Sequence, residues 1–314
     1  MAIRVGNYAQ HSLILSQTLK TQATLYDRQD QLSTGKVSRG YQPIASDTRR
    51  LVTVETQLSR AEQYMRNIDV LDKRITLMNT VVEQISEVAR DMRGLLSQRS
   101  GDSKSFYEND LAIPRQAENM RDLVVDLLNT RDDSRYLFAG GRIDVRPVQL
   151  DNGTYSAPSA PPMPTTADTS WYEGDAVVQE IRVDTNVSIS YGVTADDAGF
   201  EKIIRALDTL ANLTFSDPVT AAERQVLEDT QGLLNTAVDE VKLVENDLAL
   251  NSKRLEDTRD RQESFINFTK NIIGDIENID TAEVIAELNA AEVQLQASYT
   301  TLSRVQRLSL ANFI

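Results

Sequence analysis

The sequence predicts a mainly α fold with a small β-rich insert: a long antiparallel helical hairpin or coiled-coil bundle formed by the N- and C-terminal regions. Three features carry this. Apolar residues recur every seven positions towards both ends of the chain, the period drops to two in the middle, and helix breakers gather between the two heptad regions. Composition agrees, because 40% hydrophobic residues with only 13 Gly, 8 Pro and 6% aromatics suit long helices with narrow apolar seams.

Residues 1–33 are rich in Gln, Ser and Thr and carry a thin apolar stripe of Leu15, Leu19, Leu25 and Leu32. Such a stripe is too little to hold a lone helix against its ordering entropy, so the segment is expected to be disordered until a partner covers it. Beyond it, Val54, Ala61, Ile68, Ile75, Val82, Ala89 and Leu96 keep a spacing of seven, with Tyr64, Leu71, Met78, Ile85 and Met92 three places on. At about 1.5 Å rise per residue these repeats make a rod of about 65 Å. Arg74, flanking this seam, reads as solvent-facing. A break is expected at Ser100-Gly101-Asp102, followed by a third helix from about Arg115 to Tyr136 with Met120, Leu123, Val124, Leu127 and Leu128 on one face.

Five prolines (Pro147, Pro158, Pro161, Pro162 and Pro164) then mark a loop-rich stretch, which Trp171-Tyr172-Glu173-Gly174-Asp175 closes. Ile181 with Val183, and Val187, Ile189, Tyr191 and Val193, alternate with polar residues as strands do. Helix resumes at Gly199-Phe200 with Ile203, Ile204, Leu207 and Leu210 on its apolar face. No proline follows Pro218. There Leu227, Leu234, Val241, Leu248 and Leu255 form the returning seam, with Ala237 and Val244 three places after their neighbours. Phe265, Ile272 and Ile279, then Leu288, Leu295 and Leu302, keep the spacing in a shifted phase. Apolar residues persist to the end, through Leu308 and Phe313, which implies burial against something outside the chain.

Three regions follow. Residues 1–50 with 280–314 are terminal helices, disordered in the monomer, whose expected assembly interface is Leu15, Leu19, Leu25, Leu32, Leu288, Leu295, Leu302, Leu308 and Phe313. Residues 51–136 with 200–279 are a helical rod, with a core of Val54, Ala61, Ile68, Ile75, Val82, Leu227, Leu234, Val241, Leu248 and Leu255. Residues 137–199 are the β-rich insert.

Charge and composition narrow the function. A net charge of -14 argues against nucleic acid or an anionic membrane as partner, and no apolar run is long enough to span a bilayer. The start, Met1 to Asn7, lacks the apolar core of a secretory signal. Zero Cys and a single His, His11, remove thiolate chemistry and multi-imidazole metal sites. Leu32-Ser33-Thr34-Gly35-Lys36 resembles a phosphate loop but has Asp30 where the first Gly belongs and Val37 after the Lys. The carboxylates lie beside basic residues on helix faces, as solvated surfaces do. No catalytic, cofactor or metal residue is expected. The first fifty residues hold seven Lys and Arg against three Asp, whereas residues 219–314 hold nine against seventeen acids, so the two ends attract.

Several stretches carry a family resemblance. Gln31-Leu-Ser-Thr-Gly-Lys36 with Ile44-Ala-Ser-Asp47, and the helix from Leu288 to Ile314, resemble the terminal signatures of the flagellin superfamily. Tyr136-Leu-Phe-Ala-Gly140, Trp171-Tyr-Glu-Gly-Asp175, Tyr191-Gly-Val-Thr-Ala-Asp196 and Gly199-Phe-Glu-Lys202 are similar to its hook-associated branch. Thr48-Arg49-Arg50 departs from the acidic residue and proline usual in the family. The resemblance implies a structural axial protein of the bacterial flagellum, extracellular after passage through the flagellar export apparatus and self-assembling in a ring. It implies as partners the first hook-associated protein, flagellin, and a cytoplasmic export chaperone on the C-terminal helix. A filament flagellin subunit, or a secreted coiled-coil adhesin with the insert as binding head, are the alternatives.

Overall fold

The structure, a computed structural model, describes residues 2–40, 47–99, 112–216 and 219–311. Among these residues six helices carry the fold: α1 (Ala2–Thr34), α2 (Thr48–Arg99), α3 (Ala112–Leu128), α4 (Ala198–Ala211), α5 (Ala221–Glu277) and α6 (Thr281–Ala311). Two antiparallel strand pairs, β1 (Arg131–Asp132) with β2 (Arg135–Tyr136) and β3 (Glu180–Asp184) with β4 (Val187–Ser190), complete it. The chain forms two compact units, Met1–Arg60 with Phe265–Ile314, and Ala61–Ser264.

The second unit is built on α2 and α5. On α2, Ile68, Leu71, Ile75, Met78, Val82, Ile85, Ala89, Met92 and Leu96 are buried, and on α5 they join Leu234, Val241, Leu248 and Leu255 in one core. Val226 is buried more deeply than Leu227, which is half-buried beside it. Polar contacts set the antiparallel register at the seam's flanks. Arg259 bonds Asp69 at 3.0 Å and Arg93 donates to the Asn235 side-chain oxygen at 3.3 Å. A reciprocal cap starts α5: the Thr220 amide donates to the Glu223 carboxylate at 2.7 Å while the Glu223 amide reaches the Thr220 hydroxyl at 3.3 Å.

α3 ends eight residues before Tyr136, where a third helix was expected to run. Asp132-Asp133-Ser134-Arg135 instead turns the chain into the β1–β2 hairpin, with Asp133 at φ 54, a conformation that Asp tolerates in tight turns. Leu123, expected on the apolar face of α3, is exposed, and Val125 is buried in its place. α3 packs on α4, whose Phe200, Ile203, Ile204, Leu207 and Leu210 are all fully buried. The expected break at Ser100-Gly101-Asp102 lies outside the described residues.

The shifted phase of the returning heptads corresponds to a change of helix. Among the described residues of 219–311 the helix is interrupted between Glu277 and Thr281, without a proline, so the jump from Ile279 to Leu288 in the heptad marks a real break. Ahead of it Phe265 is exposed and Ile266 buried, and the inward line of α5 there is Thr258, Gln262, Ile266 and Thr269.

Arg74 is not solvent-facing either. Its Nε donates to Asp132 at 3.1 Å and its Nη1 to the Tyr191 hydroxyl at 3.0 Å, and that hydroxyl donates to the Gln179 side-chain oxygen at 2.8 Å. One guanidinium thus ties α2 to the hairpin and to the residue after β4.

Ile75→Asp places an unpaired carboxylate in the sealed seam and is expected to cost at least about 3 kcal/mol. Arg74→Ala leaves two polar partners short of a donor and is expected to cost about 1–3 kcal/mol. Urea unfolding of the two variants checks both figures; an Arg74→Ala variant indistinguishable from wild type shows that the node carries no stability.

Candidate assembly surface and the clamp at Gly140

In the first unit α1 and α6 pack on each other. The inward line of α1 is Ile14, Thr18, Thr21, Leu25 and Arg28, and that of α6 is Val284, Leu288, Ala291, Leu295, Ser298 and Leu302, each alternating steps of four and three. Thr18 and Thr21 are buried, and their hydroxyls donate to the carbonyls of Ile14 (2.8 Å) and Gln17 (3.0 Å), so neither hydroxyl is stranded. The most deeply buried positions of the seam are thus small or polar, Thr18, Thr21 and Ala291 with Val284, while its leucines are only half-buried. Arg28 closes it against Glu287 at 2.6 Å.

Of the residues expected at an assembly surface, Leu15, Leu19 and Leu32 face outward. Leu25, Leu288, Leu295 and Leu302 are half-buried in the α1–α6 seam. The side chain of Leu308 and all of Phe313 lie outside the described residues. Of the expected helical core, Val54, Ala61, Ile68, Ile75, Val82, Leu234, Val241, Leu248 and Leu255 are buried and Leu227 is half-buried. Sequence reasoning did not single out Leu13, which is 66% exposed, or Tyr26, Ile285, Tyr299 and Val293, the last 67% exposed. With Leu15 and Leu19 they leave large apolar side chains exposed on both helices. The period of apolar residues alone could not separate outward from inward lines where threonine occupies the seam.

In the second unit the three middle motifs meet. Gly140 has φ +66 and lies so close to the next segment that a Cβ there would stand 2.1 Å from the Asp175 carbonyl oxygen. Around it, the Asp175 amide donates to the Ala139 carbonyl (3.2 Å), the Gly141 amide to the Asp175 carboxylate (2.5 Å) and the Ala195 amide to the Phe138 carbonyl (2.9 Å). The Phe138 ring meets Phe200 edge-on at 6.2 Å, and Trp171 is buried beside them. The stretch Leu137 to Gly141 is thus clamped from both sides, and these motifs do structural work.

The loop after Asp151 is pinned by a buried polar network on α4. Asp208 accepts from Arg121 at 2.8 Å and from the Tyr155 hydroxyl at 2.6 Å. Burial, and the carboxylate beside it, hold the Tyr155 phenol far above its usual range. Glu201, whose carboxyl is pushed up by burial, accepts from the Asp168 amide and pairs with Arg205 at 3.1 Å. Clefts of about 380 and 360 Å³ flank Tyr155. In their walls Arg121 is already bonded to Asp122 and Asp208, and Arg205 to Glu201, which makes these groups supports of the loop. Among the described residues no cluster of His, Cys, Asp or Glu could hold a metal ion, and no helix is long and apolar enough to cross a membrane.

Two family models match the chain: the bacterial flagellin N-terminal helical region over residues 6–141 and the bacterial flagellin C-terminal helical region over residues 232–314. No curated protein matches its sequence. Among solved structures, a Vibrio parahaemolyticus protein assigned as a flagellar hook-associated protein is similar. It is 17% identical, with a TM-score of 0.60, and the match covers 76% of this chain and 100% of that one. Two Legionella pneumophila structures, of flagellar hook-associated protein 3 and of the flagellar junction protein, are each 12% identical. They match 71% and 73% of this chain and 98% and 99% of their own, with TM-scores of 0.57 and 0.55. At such identities the likeness is one of fold.

Gly140→Ala must push the two clamped segments apart as well as strain φ, and is expected to cost at least about 2 kcal/mol. Gly153→Ala, at φ +78 with open space around it, bears the strain alone and is expected to cost about 1 kcal/mol. Equal midpoint shifts in urea would show that the close approach to Asp175 contributes nothing.

Proposed function

Because the chain belongs to the bacterial flagellin family, a family of structural flagellar proteins, we propose that it is the axial subunit that joins hook to filament and templates flagellin assembly. The observation that carries this reading is the pairing of the two chain ends, α1 with α6, into a helical element with uncovered apolar faces. Several large apolar side chains left exposed on a helix pair whose own leucines are only half-buried call for neighbours. Copies of the same chain, set in a ring, supply them. The likeness in fold to hook-associated and junction proteins supports the junction over the filament.

On this reading the ends remain unpaired in the exported monomer and order on assembly, the first hook-associated protein lies on one side and flagellin on the other, and a cytoplasmic chaperone holds the C-terminal helix before export. The protein then acts outside the cell without chemistry of its own. A filament subunit is the second reading, favoured by the two flagellin models. It differs in polymerising by itself into long filaments, whereas a junction subunit stops after about one layer on a hook end.

Electron microscopy of flagella from a strain lacking this protein tests the junction role: bare hooks with flagellin shed into the medium are expected. Hooks that still carry filaments overturn it.

Charge provides a second test. Two ion pairs, Arg28 with Glu287 and Lys36 with Glu277 at 2.8 Å, link the basic N-terminal and acidic C-terminal segments and support an electrostatic contribution to their docking. Attachment to hook ends is therefore expected to be faster at low ionic strength, the Debye length being about 10 Å at 0.1 M. Reversing Arg28, Lys36 and Arg39 to Glu is expected to remove that advantage. Attachment that speeds up as salt is added, unchanged by the triple reversal, leaves the apolar faces as the only drive.

A further inference from the structure

The segment after α1 and the break between α5 and α6 are joined by an isolated antiparallel bridge, Lys36 to Asn278. The Val37 amide donates to the Glu277 carbonyl at 2.7 Å and the Ile279 amide to the Gly35 carbonyl at 3.1 Å. Side chains reinforce it: Lys36 Nζ lies 2.8 Å from Glu277, and the Gln31 side-chain amide donates to the Val37 carbonyl at 2.8 Å. Gly35, at φ +70, turns the chain out of α1 and into the bridge, and its own amide still closes on Gln31.

We propose that this clasp forms before the α1–α6 pair, persists in the isolated chain when the two helices are apart, and sets the register in which they zip together. The seam itself offers little register information. Its buried positions are Thr18 and Thr21 on one side and Val284 and Ala291 on the other, and its large side chains, Ile14, Leu25, Leu288, Leu295 and Leu302, are only half-buried. A slip would sacrifice little burial there. The clasp resists slipping, because the left-handed turn at Gly35 fixes where the chain leaves α1 and the Lys36–Glu277 pair fixes which residues meet.

Topology gives the order of events. With the clasp closed, Arg28 and Glu287 meet by closing a loop of about ten residues on either side, whereas Ile14 and Leu302 meeting first must close a far longer one. Each helix then grows from a fixed end, which removes the nucleation penalty that keeps isolated helices marginal. This inference does not depend on where the assembled protein sits in the flagellum.

Hydrogen exchange on the dilute full-length chain tests it. The amides of Val37 and Ile279 are expected to exchange at least about tenfold more slowly than those of Thr18 and Thr21. Gly35→Val, where open space leaves backbone strain as the only insult, is expected to abolish that protection while the Ala61–Ser264 unit keeps its own. Glu277→Lys is expected to weaken the protection and the exchanged pair Lys36→Glu with Glu277→Lys to restore it. Val37 and Ile279 exchanging as fast as Thr18 and Thr21, or Gly35→Val leaving them protected, overturns the proposal.

Discussion

Everything in the second unit depends on one interaction, the burial of aliphatic side chains between α2 and α5. A fully buried Leu, Ile or Met side chain contributes about 1.5–3 kcal/mol, and the seam stacks them from Ile68 to Leu96 against Leu234 to Leu255. What hangs from it could not stand alone. β3 and β4 have five and four residues, and an isolated pair of that size is marginal in water. Phe138, Trp171, Val183, Ile189 and Tyr191 bring the insert into the same core as the helices. The insert is thus a decorated side of the helical core, held by its apolar anchors and by the knot at Gly140.

The first unit follows a different rule. Where α2 fully buries leucine, isoleucine and methionine, α1 and α6 fully bury only threonine, alanine and one valine, and their inward leucines are half-buried. Threonines that bond back to their own helix satisfy their hydroxyls without adding interhelical attraction. The pair therefore has a seam that excludes water but adds little stability. Such a construction suits an element whose folding is completed by neighbours.

How far the sequence revealed this depends on what fills the seams. Along α2 the inward positions from Ile68 on are, Ser86 apart, aliphatic or methionine, so spacing alone identifies Ile68, Ile75 and Val82 as core. Along α1 the eye follows Leu15, Leu19 and Leu32, which face out, because Thr18 and Thr21 do not look like core. The same substitution of threonine for leucine conceals the inward line of α5 at Thr258 and Thr269 and makes Phe265 a false member. The hairpin after α3 was legible in the turn residues Asp132-Asp133-Ser134, but the apolar periodicity of the preceding helix overrode them. Arg74, Asp208 and Tyr155 were not legible at all. Their partners lie 53 to 117 positions away in sequence, and no local pattern reports a buried polar bond made at that distance.

The Gly35-Lys36 pair shows why a motif needs its surroundings. A glycine followed by lysine at the end of a helix invites comparison with a loop that cradles phosphate, where backbone amides point at an anion. Here the amides are already used: that of Gly35 by Gln31, that of Val37 by Glu277, and the lysine ammonium by the Glu277 carboxylate. The same residue types that could have bound an anion instead bind another part of the chain, with the acidic side chain standing where the anion would be. Left-handed glycine, a free amide two residues on and a cation are a general device for gripping an acceptor. What the acceptor is follows from which segment the fold delivers to it, and this fold delivers the joint between α5 and α6.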